Sequence, residues 1–240
     1  MKTVLVTGGS GYVGSRLLPK LVDAGWKVKN FDLMLYSLPN HADKGVEHIK
    51  GDIRDIESIK KALEGVEAVI HLACISNDPS FELSPALGRS INLDSFGPLV
   101  HAAKVAGVKR FINASSSSVY GVRDEKEITE DVKCSPITDY SLFKLQTEEI
   151  LNSYSGGGLI AINVRSATVC GYSPRQRLDV IVNILTNWAY HRNRIKVFGG
   201  SQLRPNVHIE DICEFYVNLL DASESDVGGQ TFNFGGKNKK

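Results

Sequence analysis

Tyr140 and Lys144, in the stretch DYSLFK, stand four residues apart, a spacing that puts two side chains on one face of a helix. A phenol with an ordinary pKa of about 10 is a poor base at neutral pH, and a nearby ammonium stabilises its ionised form and lowers that value. The pair therefore suits acid–base work on an alcohol or sugar hydroxyl. A hydroxyl from the serine run at 115–118 would hold the same substrate oxygen, although that run taken alone reads equally as a polar strand end. A second cluster, TGGSGYVG, places Gly8, Gly9, Gly11 and Gly14 directly after the apolar Val4, Leu5 and Val6. Glycine costs backbone entropy, so such a density points to a turn too tight for Cβ atoms, where the backbone approaches a ligand. Gly9, Gly11 and Gly14 satisfy G-x-G-x-x-G, while Gly8, Gly11 and Gly14 satisfy a three-spaced version, and either alone also occurs in ligand-free turns. Here the turn follows a strand and opens a helix, so its amides and the positive helix end favour a pyrophosphate. Asp32 ends the next apolar run, eighteen residues after Gly14. A carboxylate there accepts from an adenosine ribose 2′-hydroxyl and repels a 2′-phosphate. No Arg or Lys lies between Asp32 and Ser37, which favours NAD over NADP.

These groups need a scaffold, and the patterning supplies one. Short apolar runs at 3–7, 27–31, 46–50, 68–72, 110–114 and 159–164 read as strands, some apolar throughout and so buried on both faces. Amphipathic runs at 12–24, 55–64, 87–106 and 139–154 read as helices, each followed closely by glycine. Strand and helix in alternation imply right-handed crossovers and a doubly wound parallel α/β sheet of Rossmann type. After residue 170 the alternation loosens into a helix at 176–191, a short strand at 195–198, a helix at 209–220 and a strand at 231–234. The expected organisation is a dinucleotide-binding domain with the catalytic motif at 1–170 and a partly interleaved substrate-facing region at 171–240.

Composition narrows the class. The 240 residues are 42% hydrophobic with a net charge of +1, enough for a substantial core and without the field that nucleic acid or an anionic membrane would call for. Cys74, Cys134, Cys170 and Cys213 are widely spaced with no CxxC pair, which suits free thiols in a reducing compartment and gives no metal site. No leader pattern opens the chain and no apolar run has membrane-spanning length. A cytoplasmic protein is expected.

TGGSGYVG, Asp32, GDIRD at 51–55, HLA at 71–73, Asn92, SSSVYG at 116–121, YSLFK at 140–144 and RPNVHIED at 204–211 occur in this order. In that order and spacing the chain resembles the extended short-chain dehydrogenases/reductases, and within them the NAD-dependent epimerase/dehydratase branch that acts on nucleotide sugars. The resemblance implies NAD as cofactor, held by Gly8, Gly11, Tyr12, Val13 and Gly14 at the turn. It also implies Asp32 at the ribose, Asp52 and Ile53 at the adenine, and Leu72, Ala73 and Asn92 along the cleft. It makes Ser116 the catalytic hydroxyl and Tyr140 the base, with Lys144 also binding the nicotinamide ribose. The helices at 87–106 and 139–154 match the pair through which family members form homodimers.

Family dehydratases carry an Asp-Glu pair immediately after the catalytic hydroxyl residue, and related decarboxylases a Glu at the second of these positions. Here the two are Ser117 and Ser118. Epimerisation or simple oxidation and reduction is therefore favoured, with a dehydratase, an oxidoreductase on another substrate and a non-catalytic NAD-binding module as alternatives. Ser116, Ser117, Thr168, Arg175, Arg177 and Arg204 are the expected substrate contacts, the guanidinium groups suiting a diphosphate. Relatives continue for some tens of residues beyond the strand matching FNFGG at 232–236, so the resemblance also implies a shortened wall over the sugar.

Overall fold

The structure, a computed structural model, describes residues 2–36, 44–76, 78–123, 125, 127–201 and 203–236. Ser37 and the terminal lysines, Lys237, Lys239 and Lys240, lie outside these. The apolar runs become β1 (Thr3–Thr7), β2 (Lys27–Asp32), β3 (Val46–Lys50), β4 (Ala68–His71), β5 (Arg110–Ser116) and β6 (Ile160–Ser166), followed by β7 (Thr168–Cys170), β8 (Asn206–His208) and β9 (Thr231–Phe234). Seven of them form one parallel sheet in the order β3-β2-β1-β4-β5-β6-β9, and β7 pairs with β8 apart from it. The order reverses between β1 and β4, whose last paired residues are Thr7 and His71. In an open parallel sheet the crevice beyond the strand ends at such a reversal is where ligands bind.

The helices are α1 (Gly14–Asp23), α2 (Ile56–Ala62), α3 (Asp78–Glu82), α4 (Pro85–Arg89), α5 (Phe96–Val105), α6 (Asp139–Ser153), α7 (Ile181–Arg192), α8 (Ile209–Asp221) and α9 (Glu224–Val227). Successive strand residues point to opposite faces, and β1 shows the result. Val4 and Val6 join Leu17, Leu21, Ile212 and Tyr216 in a core under α1 and α8. Leu5 joins Ile59, Phe96, Leu99 and Leu151 in a second core under α2, α5 and α6. The sheet is thus covered on both faces, which is why central strands such as β1 and β4 are buried along their whole length. The C-terminal region contributes to these layers: β9 pairs with β6 and α8 packs beside α1. Among the described residues no helix is long and apolar enough to cross a membrane.

Three of the elements expected from the sequence differ in the structure. The continuous helix expected at 87–106 is interrupted by a π-helical turn, Ser90–Asp94, between α4 and α5. Pro98 explains the interruption, since it has no N–H for the Asp94 carbonyl and its ring crowds that oxygen. Residues 195–198 form no strand; Ile195, Val197 and Phe198 are exposed, and without a paired neighbour their apolar spacing specifies no ladder. The helix expected from 176 begins at Ile181, because the chain before it is held in a loop by side chains. The Ser173 amide donates to Gln176 Oε1 at 2.9 Å, and Arg177 forks onto Asp179 at 3.0 and 2.6 Å.

Candidate active site

The glycine turn sits at the switch point because of what its missing Cβ atoms would meet. Gly8 has φ +76° and donates its N–H to the Phe31 carbonyl at 2.9 Å; a Cβ there would lie 2.7 Å from the Ala73 backbone. At Gly14 a Cβ would strike the backbone of Gly9, so the start of α1 folds onto the turn only with glycine at that position. Gly11 differs from both. Among the described residues other than its chain neighbours, the one atom within 4 Å of its Cβ position is the Gly8 carbonyl oxygen at 3.1 Å, so this face of the turn opens to the crevice.

Asp32 at the end of β2 fastens the turn. Its Oδ2 accepts from the Ser10 amide at 3.0 Å and its Oδ1 from the Met34 amide at 2.8 Å. Each oxygen has further accepting capacity for a hydroxyl. Across the crevice, the Leu72 amide donates to the Thr7 carbonyl at 3.0 Å and half-buried Leu72 and Ala73 form a wall beside Gly8. Asn92 is buried and uses both ends of its amide on Ile75, at 2.9 Å each, so it shapes that wall from behind. Asp52 is gripped by Arg54, which holds its carboxyl below the ordinary range, and Ile53 packs into the core with Phe31 and Ile59.

Beyond the ends of β4 and β5 the reactive groups converge. Thr138 caps α6 through a reciprocal box with Ser141 and starts the helix that presents Tyr140 and Lys144 one turn apart. The buried Lys144 ammonium donates to the Ala114 carbonyl at 2.6 Å and lies 5.9 Å from the Tyr140 ring centroid. Ser116 Oγ faces the phenol and accepts from the Ser118 amide and hydroxyl at 3.2 and 2.9 Å, leaving its own proton for another acceptor. Burial raises the Tyr140 pKa, while Lys144, Arg177 and the Ser116 hydroxyl oppose the rise. The net shift is upward, against the lowering expected from the Tyr–Lys pair alone: charge pairing was legible in the sequence and desolvation was not. Burial also works to lower the Lys144 pKa, but Cys74, Tyr140 and Glu148 hold it above its ordinary value. Burial first, then Lys144, push His71 down to about 3, so that ring stays neutral beside the Lys144 cation.

The expected substrate residues separate in space. Arg177 joins the reactive cluster, its charge facing Tyr140 and Cys74. Arg175 does not: its guanidinium stacks 3.6 Å from the ring centroid of Tyr36, in the loop after Asp32. Ser117 is half-buried at the start of the 3-10 turn Ser117–Tyr120, and Thr168 opens β7, its amide bonded to the Pro205 carbonyl at 3.2 Å. Arg204 lies exposed just ahead of β8.

Three residues that sequence reasoning did not place in the site help to build it. Cys74 follows Ala73 in the wall and its thiol reaches Lys144; its position directly after HLA was the only signal. Glu148 continues the Tyr140, Lys144 spacing by another four residues and is buried beneath them, ion-paired to Arg165 at 2.7 Å and bonded by the Ser115 hydroxyl. Asn183 is buried in the otherwise open helix α7. It donates to the Tyr12 hydroxyl at 3.1 Å and the Arg177 carbonyl at 2.9 Å and accepts from the Gly171 amide at 2.9 Å. Tyr12 completes the link by donating to the Gly171 carbonyl at 2.8 Å. This network ties the glycine turn to the segment that carries Arg177, across too great a sequence distance for any local pattern to reveal.

Comparison with known proteins gives consistent matches along the chain. The family model described as NAD dependent epimerase/dehydratase family matches residues 4–235. The chain is 32% identical to a protein of Sinorhizobium fredii, y4nG, over 98% of its own length and 56% of the relative's. It is also 32% identical to a UDP-glucose 4-epimerase of Mycolicibacterium smegmatis, over 96% of this chain and 76% of that one. Among solved structures, MoeE5 in complex with UDP-glucuronic acid and NAD superposes with a TM-score of 0.84 at 30% identity, covering 97% of this chain and 76% of MoeE5. The chain thus spans between about half and about three quarters of these relatives.

Proposed function

Given that the chain belongs to the NAD-dependent epimerase/dehydratase family, we propose that it is an NAD-dependent epimerase of a nucleotide-diphosphate sugar, with a UDP-sugar as substrate. The observation that carries this reading is the convergence of Tyr140, Lys144 and Ser116 at the switch-point crevice, beside a glycine turn fastened to Asp32. The crevice fits the family's cofactor. Gly11 presents open backbone for a pyrophosphate and the Asp32 oxygens retain acceptor capacity for ribose hydroxyls, while Leu72 and Ala73 wall the far side. NAD, when bound, supplies a hydride acceptor for a sugar carbon, which no side chain provides.

The chain's own residues do the rest. Tyr140 takes the proton of a sugar hydroxyl, and Lys144 stabilises the phenolate that receives it. Ser116 donates to the same sugar oxygen and fixes its distance from the phenol. Arg177 adds a second positive charge at the phenol. The proton returns by the same path, so the groups are restored after each turnover. Ser117 and Ser118 stand where water-eliminating relatives carry carboxylates, which supports epimerisation over dehydration. In the test, an NAD-loaded chain is mixed with UDP-glucose or UDP-glucuronic acid. This reading expects configuration at one sugar carbon to equilibrate without accumulation of reduced cofactor; steady accumulation would make the protein an oxidoreductase.

Cofactor choice is a separate expected outcome. Calorimetric titration should show wild type preferring NAD to NADP, with the preference reduced in Asp32→Ala because the repulsion of a 2′-phosphate is removed. Equal wild-type affinities would remove Asp32 from that role. We also propose a two-fold homodimer through α5 and α6, where an open groove runs between Arg89, Gly97, Gln146 and Ile150. Sedimentation at micromolar concentration should give a dimer mass, and a monomer alone would count against it.

A further inference from the structure

We propose that Arg175, held by Tyr36, belongs to the cofactor site as a ligand of the dinucleotide's phosphates and does not read the sugar nucleotide. The assignment rests on the NAD-dependent reading above and adds a residue to it. Ser15, fully buried in the first turn of α1, lies 2.7 Å from Ser173 Oγ, and Ser173 Oγ bonds to the Tyr12 carbonyl at 2.7 Å. The Arg175 amide donates to Ser15 Oγ at 3.4 Å. The backbone of residue 175 is therefore seated on the exit of the glycine turn, at the positive end of α1. From there its side chain reaches the Tyr36 ring, and Tyr36 follows the Met34 amide that bonds Asp32. The side chain bridges the two places where a dinucleotide is expected to be held, the glycine turn and the ribose carboxylate.

Its charge state fits a phosphate. Among the described residues no carboxylate lies within salt-bridge distance of Arg175, and its guanidinium donates to the Gln176 carbonyl at 2.8 Å. Arg177, two residues on, is forked onto Asp179. An unneutralised guanidinium beside a positive helix end is repelled until an anion arrives between them. Stacking on the half-exposed Tyr36 orients the planar fork, so the donors not used on the Gln176 carbonyl lose little side-chain freedom when a phosphate oxygen binds. The sequence shows no cation between Asp32 and Ser37; the fold brings one from another segment.

Calorimetry on the full chain tests the assignment, with NAD, adenosine diphosphate ribose and adenosine as ligands. Arg175→Leu should weaken NAD and adenosine diphosphate ribose by about tenfold or more, the loss expected for a charge-assisted hydrogen bond, and leave adenosine within about twofold. Tyr36→Leu should cause part of the same loss in wild type and none in Arg175→Leu, while Tyr36→Phe keeps the ring face and the affinity. Thermal melts check that each variant is folded, and Arg192→Leu, a change at an exposed arginine of α7, should leave NAD affinity near wild type. NAD affinity within about twofold of wild type in folded Arg175→Leu would overturn the proposal, as would an equal loss with adenosine. If wild type bound no NAD, the NAD-dependent reading itself would fall, and this assignment with it.

Discussion

Tyr140→Phe is expected to keep NAD affinity near wild type and to lower turnover by roughly 10² to 10⁴-fold, the range for losing a positioned acid–base group. The substitution removes one oxygen and leaves the ring that packs beside Lys144. The pH dependence gives the prediction a second edge. Burial raises the Tyr140 pKa more than Lys144, Arg177 and Ser116 lower it, so the neutral phenol dominates at pH 7 and the base form gains as pH rises. The limb of kcat/KM governed by this group should rise with pH on the alkaline side. Lys144→Met removes the largest opposing charge and should move that limb to still higher pH. Cys74 and Tyr216 also face the phenol or interact with it, so Cys74→Ala, which removes a group working to raise the pKa, should move the limb the other way. Turnover of Tyr140→Phe within about tenfold of wild type would exclude Tyr140 as the base.

Glu148→Ala should cost about 3–5 kcal/mol, because it leaves Arg165 buried with its charge uncompensated. Both partners are almost fully buried, at 3% and 8% side-chain exposure, so solvent does little to screen the pair. Arg165 donates to Glu148 through Nε and Nη2 and also to the Tyr120 hydroxyl at 2.7 Å, and Ser115 donates to the same carboxylate. One buried network therefore joins β5, α6 and β6 directly beneath Lys144. For a chain of this size the loss corresponds to a fall in Tm of roughly 6–20 °C. Replacing both partners, as Glu148→Met with Arg165→Met, should recover much of it, since no lone charge remains. A single variant melting within about 2 °C of wild type would show that water reaches the site and compensates the charge.

The legible features were those encoded by local spacing. The glycine turn, Asp32, the Tyr140–Lys144 pair and seven of the nine strands follow from period, turn chemistry and capping, all of which operate over a few residues. β7 and β8 are three residues each, too short for any periodic signal. The break at Ser90–Asp94 was legible in principle from Pro98, but apolar periodicity continues across it and outweighed the proline. What the sequence concealed depends on burial or on contacts between distant segments. The net upward shift of Tyr140 needs the enclosing fold, and the separation of Arg175 from Arg177 needs the seating of residues 171–177 on α1. The clamp by Asn183 needs α7 to turn this polar side chain inward against Tyr12. Arg175 and Arg177, two residues apart, share a motif in sequence, yet the loop turns one towards Tyr36 and the other towards Tyr140.

The central claim is that one sugar carbon loses its hydrogen and regains it within this crevice. UDP-glucose and UDP-glucuronic acid carrying deuterium at C4, incubated with the wild-type chain and unlabelled NAD in ordinary water, put that to the most direct test by proton NMR. The account predicts that at least one of them gives its 4-epimer with the deuterium still at C4. A 4-epimer carrying a solvent proton at C4, or no epimer of either sugar from a chain that binds NAD, would contradict it.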